Sequence, residues 1–86
     1  MEKRIVKAKV LDTILKRIGF GLSQLRIKKG YNSIKDFALD NNLPLIQYWR
    51  IEKGKANITI KTLVRLLSIH HLSVEDFFCT LRNYTG

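Results

Sequence analysis

The 86 residues carry 16 Lys/Arg against seven Asp/Glu, a net charge of +9, with 45% apolar residues and one cysteine. A chain of that length makes one domain, which buries only about 60% of its unfolded surface and so needs an efficient core or a partner subunit. Its apolar content argues against wholesale disorder, lone Cys79 excludes an intrachain disulfide and a zinc site built from several cysteines, and no apolar run approaches the roughly 20 residues of a membrane span.

Met1 to Val10 has three open readings: a frayed arm, a short strand or the start of a helix. Lys3, Arg4, Lys7 and Lys9 interleave there with Ile5, Val6, Ala8 and Val10. Charges run throughout MEKRIVKAKVLDTILKR, so no signal-peptide core is present and a cytoplasmic location is expected. Met1 to Gly30 holds nine Lys/Arg and two acids, a local net of +7. Such a surface attracts phosphate backbones through counterion release. Anionic membranes and acidic proteins attract it as well.

From Leu11 the spacing turns helical: Leu11, Ile14, Leu15, Ile18, Leu22 and Leu25 fall at three- and four-residue steps. Gly19 and Gly21 interrupt the pattern, each at a cost of up to about 1 kcal/mol against alanine. One helix ending at Lys29 is expected, with a weak point or fresh start near Gly19. Gly30 would cap it, with Lys28 and Lys29 suited to that end of the dipole.

Ser33 to Lys55, SIKDFALDNNLPLIQYWRIEKGK, is the most informative stretch. Ser33 followed by Asp36 marks a helix start. Phe37, Ala38 and Leu43 supply an apolar face, with small Ala38 allowing a close approach. Pro44 suits the first helical position of a second piece, which stops at Lys53-Gly54. Two short helices joined by Asn41-Asn42-Leu43 form a helix-turn-helix unit, and such a unit can lay its second helix in the DNA major groove.

An irregular link, Gly54 to Ile58, leads to a helix capped by Thr59 and running from Ile60 to about Ile69, with Leu63, Leu66 and Leu67 inward. His70-His71-Leu72 makes a turn. Ser73 caps a last helix, with Glu75 and Asp76 in its first turn and Val74, Phe77 and Phe78 as core candidates. The expected fold is all-α, a compact bundle of about five helices. Residues 1–15 form a basic arm or helix extension, 16–80 the helix-turn-helix domain and 81–86 a frayed tail.

At this point the chain resembles the lambda-repressor-like, Xre/Cro-type helix-turn-helix family, over Ile18 to Phe78. The matching pieces are Leu25-Arg26 with Lys29-Gly30, then Ser33-Ile34-Lys35-Asp36-Phe37-Ala38. Arg50-Ile51-Glu52-Lys53-Gly54-Lys55 is similar to the R-I-E-x-G-K signature. Thr62-Leu63, Leu66 and Leu72-Ser73-Val74-Glu75-Asp76-Phe77-Phe78 are similar to the family's closing helices. The resemblance implies a compact all-helical regulator that binds double-stranded DNA as a homodimer. It implies base-edge contacts from Leu45, Ile46, Gln47 and Arg50, with Arg50 forked on guanine and Gln47 pairing adenine. It also implies phosphate contacts from Ser33, Lys35, Trp49, Lys53, Lys55 and Asn57. Two positions depart from the family pattern. Ile34 stands where a glutamine often helps fix a phosphate, and Pro44-Leu45-Ile46 makes the helix tip apolar. That tip suits a protein partner as an alternative occupant.

Other residues read more plainly. Tyr48 and Ile51, three apart, belong to the core. Trp49, on a different face, is expected outside. Glu52 is expected to pair with Arg26 or another helix-one cation. Adjacent His70 and His71 do not converge on one metal ion. Cys79 beside two phenylalanines reads as a buried thiol. No spacing supports a catalytic constellation, a metal or a cofactor, so no enzyme is expected.

Overall fold

The computed structural model describes residues 2–82, and within that span the side-chain surroundings from Ala8 onward. Five helices occur among the described residues: α1 Glu2–Lys28, α2 Ile34–Asp40, α3 Leu45–Glu52, α4 Ile60–Ile69 and α5 Val74–Leu81. No strand occurs among them, so the fold is all-α.

The first ambiguity resolves as helix: α1 runs from Glu2 without interruption to Lys28. No weak point appears at Gly19. The glycines instead mark where other helices come close. A Cβ on Gly19 would collide with the carbonyl oxygen of Glu52 and lie 2.6 Å from that of Ile51. A Cβ on Gly21 would collide with Leu81 and lie 3.0 Å from the Phe77 ring. Packing against α3 and α5 outweighs the propensity cost of the glycines.

Each element contributes to one core. Ile18 and Leu22 come from α1, Phe37 and Ala38 from α2, Tyr48 and Ile51 from α3. Leu63, Leu66 and Leu67 of α4 point inward as their spacing predicts, opposite Phe77 and Leu81 of α5. The expected inward stripe of α1 starts later than the sequence suggests. Leu11 and Ile14 are each 44% exposed, and burial begins at Leu15. A 27-residue helix is about 40 Å long, and the short helices cover only its C-terminal part. Two further corrections concern α5. Phe78 is 40% exposed, while Leu81, placed in the tail by sequence, is core; Val74, half-buried, packs against that core as expected. The rest of that expected tail, from residue 83, lies outside the described residues.

Local chemistry explains the ends. Ser33, Thr59 and Ser73 cap their helices, their hydroxyls accepting from the amides of Asp36, Thr62 and Asp76 at 3.2, 3.1 and 3.0 Å. Pro44 is the N-cap of α3, with extended ψ of 118°, and Leu45 is the first helical residue, one later than expected. Helices α1 to α4 stop in the same way. The residues Gly30, Asn42, Gly54 and His71 take positive φ. Paired amides then bond back to the last turn: Gly54 to the Ile51 carbonyl at 3.1 Å and Lys55 to that of Arg50 at 2.8 Å. This is the double bond pattern of a left-handed helix stop.

Candidate nucleic-acid interface

The exposed face of α3 depends on how firmly its opposite face is held. Tyr48, Ile51 and Glu52 are buried. Arg26 of α1 donates through Nε to Glu52 Oε2 at 2.8 Å and through Nη2 to Oε1 at 3.2 Å. Its Nη1 donates to the Tyr31 carbonyl at 2.8 Å. The expected Arg26–Glu52 pair is thus a fork that ties α3 to α1 and to the link before α2. Bonding to Glu52 raises the Arg26 pKa above its ordinary value. Burial, then the Glu52 carboxylate, pushes the Tyr48 hydroxyl well up, so it stays neutral.

With that face fixed, Ile46, Trp49, Arg50 and Lys53 recur at i, i+3, i+4 and i+7, which places them along one side of the helix. All are exposed, Ile46 by 71% and Trp49 by 38%. Leu45 and Gln47, also exposed, flank that row. Lys53 Nζ lies 6.0 Å and Lys55 Nζ 5.1 Å from the Trp49 ring centroid, within cation–π range. The ring therefore gathers two ammonium groups at the C-terminal end of α3. Arg50 Nη2 donates to the Lys55 carbonyl at 2.9 Å. That bond braces the loop and leaves the remaining guanidinium donors on the exposed side.

The helix stop itself singles out Lys55. The corresponding residues after α1, α2 and α4 are Tyr31, Leu43 and Leu72, all packed against the core. An apolar residue there commonly seals the stop. After α3 the position is an exposed lysine. Asn57 follows, also exposed. Ser33 is half-buried and occupied in capping α2, and Lys35 is exposed in the first turn of that helix.

One contributor was missed by sequence reading. A Cβ on Gly54 would lie 2.8 Å from the Lys16 Cα, so α1 passes directly beside the loop after α3. The backbone of exposed Lys16 thus lies against the turn between Lys53 and Lys55. The basic N-terminal run hinted at it, but no local spacing could. A cation cluster at a helix C-terminus also offsets the negative end of the dipole, so part of its role is structural.

Two histidines and a cysteine complete the inventory. His70 stacks on Phe37, rings 5.5 Å apart and 5° from parallel, while His71 takes the left-handed backbone. Cys79 is exposed, contrary to the buried thiol expected, because it faces outward between buried Phe77 and Leu81. Among the described residues, no group of three or more His, Cys, Asp or Glu could hold a metal ion. No described helix is long and apolar enough to cross a membrane. Compared with known proteins, the chain matches no family model, no curated protein and no solved structure.

Proposed function

We propose that the chain is a sequence-specific, double-stranded DNA-binding transcriptional regulator of the lambda-repressor-like, Xre/Cro type, acting as a homodimer with α3 in the major groove. The observation that carries this reading is the exposed row on α3. It combines a forked donor, Arg50, with two cations, Lys53 and Lys55, gathered beside Trp49 at the end of the helix. Arg50 and Gln47 read base edges. Leu45 and Ile46 reach thymine methyls or sugars. Ser33, Lys35, Trp49, Lys53, Lys55 and Asn57 hold the backbone. In this reading the chain acts in the cytoplasm by occupying its site, blocking polymerase, contacting it or recruiting a partner.

The test is selection from random duplex DNA at about 0.15 M salt, where non-specific phosphate binding is suppressed. An inverted repeat with half-sites about one helical turn apart is expected. Failure to enrich a motif, with binding that vanishes as salt rises, would reduce the chain to a non-specific basic binder. One observation favours a second reading. Ile46, in the first turn of α3, is 71% exposed with Leu45 exposed beside it, which suits an antitoxin-like module whose protein partner is seated on that tip. A stable complex with a non-nucleic partner that masks Leu45, Ile46 and Trp49 would favour it.

A further inference from the structure

We propose that the groove between α1 and α5 receives an acidic amphipathic helix of another protein. The inference is independent of the DNA reading above. The groove is open, about 310 Å³ in volume, and lined by Ile14, Arg17, Phe78, Leu81 and Arg82. Its apolar wall continues outward along α1 through exposed Leu11 and Val10. From Val10 to Arg17 the strip extends about 10 Å at the helical rise, which suits an elongated occupant. Phe78 stands at the mouth, its ring edge-on to buried Phe77 at 5.7 Å, so it loses little freedom on docking.

The charges set the chemistry of the occupant. Arg17 of α1 and Arg82 at the end of α5 both line the groove beside its apolar side chains. Arg17 Nη2 donates to the Leu81 carbonyl at 3.2 Å, which holds the guanidinium there with further donors beyond that bond. The carboxylates nearest in sequence lie elsewhere. Asp12 precedes Gly19 by seven residues and so shares the side of α1 that meets α3, whereas Ile14 precedes Gly21 by seven, on the side that meets α5. Glu75 opens α5, about 10 Å along the helix from Arg82. Two guanidiniums beside apolar side chains fit a partner helix with Leu, Ile or Phe at i, i+4 and i+7 and carboxylates beside that ridge. A second copy of this chain, itself at +9, lacks that complementarity. Duplex DNA has the right sign but no apolar ridge for Ile14 and Phe78.

The experiment is selection of a displayed peptide library against the full chain at about 0.15 M salt, where exposed charges are screened beyond about 8 Å. The peptides are about 15 residues, long enough to hold a helix. They carry Leu, Ile or Phe at i, i+4 and i+7, with Glu, Lys, Gln and Ala varied freely between. Enrichment of Glu-rich peptides is expected. A selected peptide, labelled and titrated by fluorescence anisotropy, should lose at least about tenfold in affinity for Phe78→Ala and for Arg82→Glu, with unchanged helical circular dichroism. Ile14→Ser, on the exposed side of α1, reads the same face even where Phe78→Ala disturbs α5. Selection repeated against Arg82→Glu should move the enriched residues from Glu toward Lys. No enrichment, neutral or Lys-rich winners, or an affinity unmoved by Ile14→Ser and Arg82→Glu would each overturn the proposal. Displacement of the peptide by random duplex DNA would assign the groove to nucleic acid. Sedimentation showing a wild-type dimer that Ile14→Ser abolishes would assign it to a second copy. Either result would equally overturn it.

Discussion

Arg26 and Glu52, twenty-six positions apart, meet in a buried two-bond fork at 2.8 and 3.2 Å that joins the last turn of α1 to the last turn of α3. Their side chains retain 8% and 2% of their exposure. The pair fixes the rotation of α3 about its own axis, and so decides which residues of that helix face outward.

Removing one partner leaves the other charge buried. Glu52→Ala should destabilise the protein by about 3–5 kcal/mol, whereas Arg26→Met combined with Glu52→Leu should cost much less. Urea unfolding measures both. A cost for Glu52→Ala below about 1 kcal/mol, the range of exposed pairs, would show that the fork does not hold α3.

Gly19→Ala sets helix propensity against packing. Propensity favours alanine by up to about 1 kcal/mol. The new methyl would meet backbone carbonyls of Ile51 and Glu52, which cannot rotate away, and overpacking of that kind costs about 1–3 kcal/mol. A lowered Tm is expected. Gly21→Ala meets side-chain atoms of Leu81 and Phe77, which can shift, so its loss should be smaller. The reverse order would contradict the close crossing of α1 and α3.

His70 predicts acid sensitivity. Burial, then the nearby Lys29 charge and more weakly His71, holds its pKa below the ordinary 6.5, with Glu52 opposing. The unfolded chain therefore binds the proton more readily than the folded one, and stability rises with pH across that interval. The contribution is complete above 6.5 and is lost as pH falls through 6.5 toward the folded value. Urea midpoints should drop between pH 7.5 and 5.5, and His70→Asn should flatten that drop. An equal drop in the variant would assign the effect to other groups.

At the proposed interface, Arg50→Ala should cost roughly 1–3 kcal/mol of DNA binding and relax preference at one base pair. Lys55→Ala should weaken all sequences alike and lower the salt slope by about one. Because Arg50 also braces the loop through the Lys55 carbonyl, Arg50→Lys helps separate the roles: it keeps charge but loses the fork. Unchanged sequence preference in both Arg50 variants would remove α3 from the groove.

Local signals made much of the fold legible. The Ser33, Thr59 and Ser73 caps, the glycine stops at Gly30 and Gly54, and the Leu63-Leu66-Leu67 spacing depend on groups within a few residues of one another. Helix number, order and most boundaries follow from them. Glycine misled because its two uses look alike in sequence. At Gly30 it relieves a left-handed backbone, whereas at Gly19 it admits a neighbouring helix, and only the position of α3 tells the two apart.

Sequence by itself determined an all-helical chain, the inward face of α4 and the separation of Tyr48 from Trp49, because periodicity and capping are short-range. Tertiary structure decided where burial begins on α1, that Phe78 and Cys79 stand outside, that Lys16 lies beside Gly54, and which cation pairs with Glu52. Those outcomes depend on which surfaces meet across the bundle. The helical period records which residues share a face, and only the packing of the helices settles whether another element covers it.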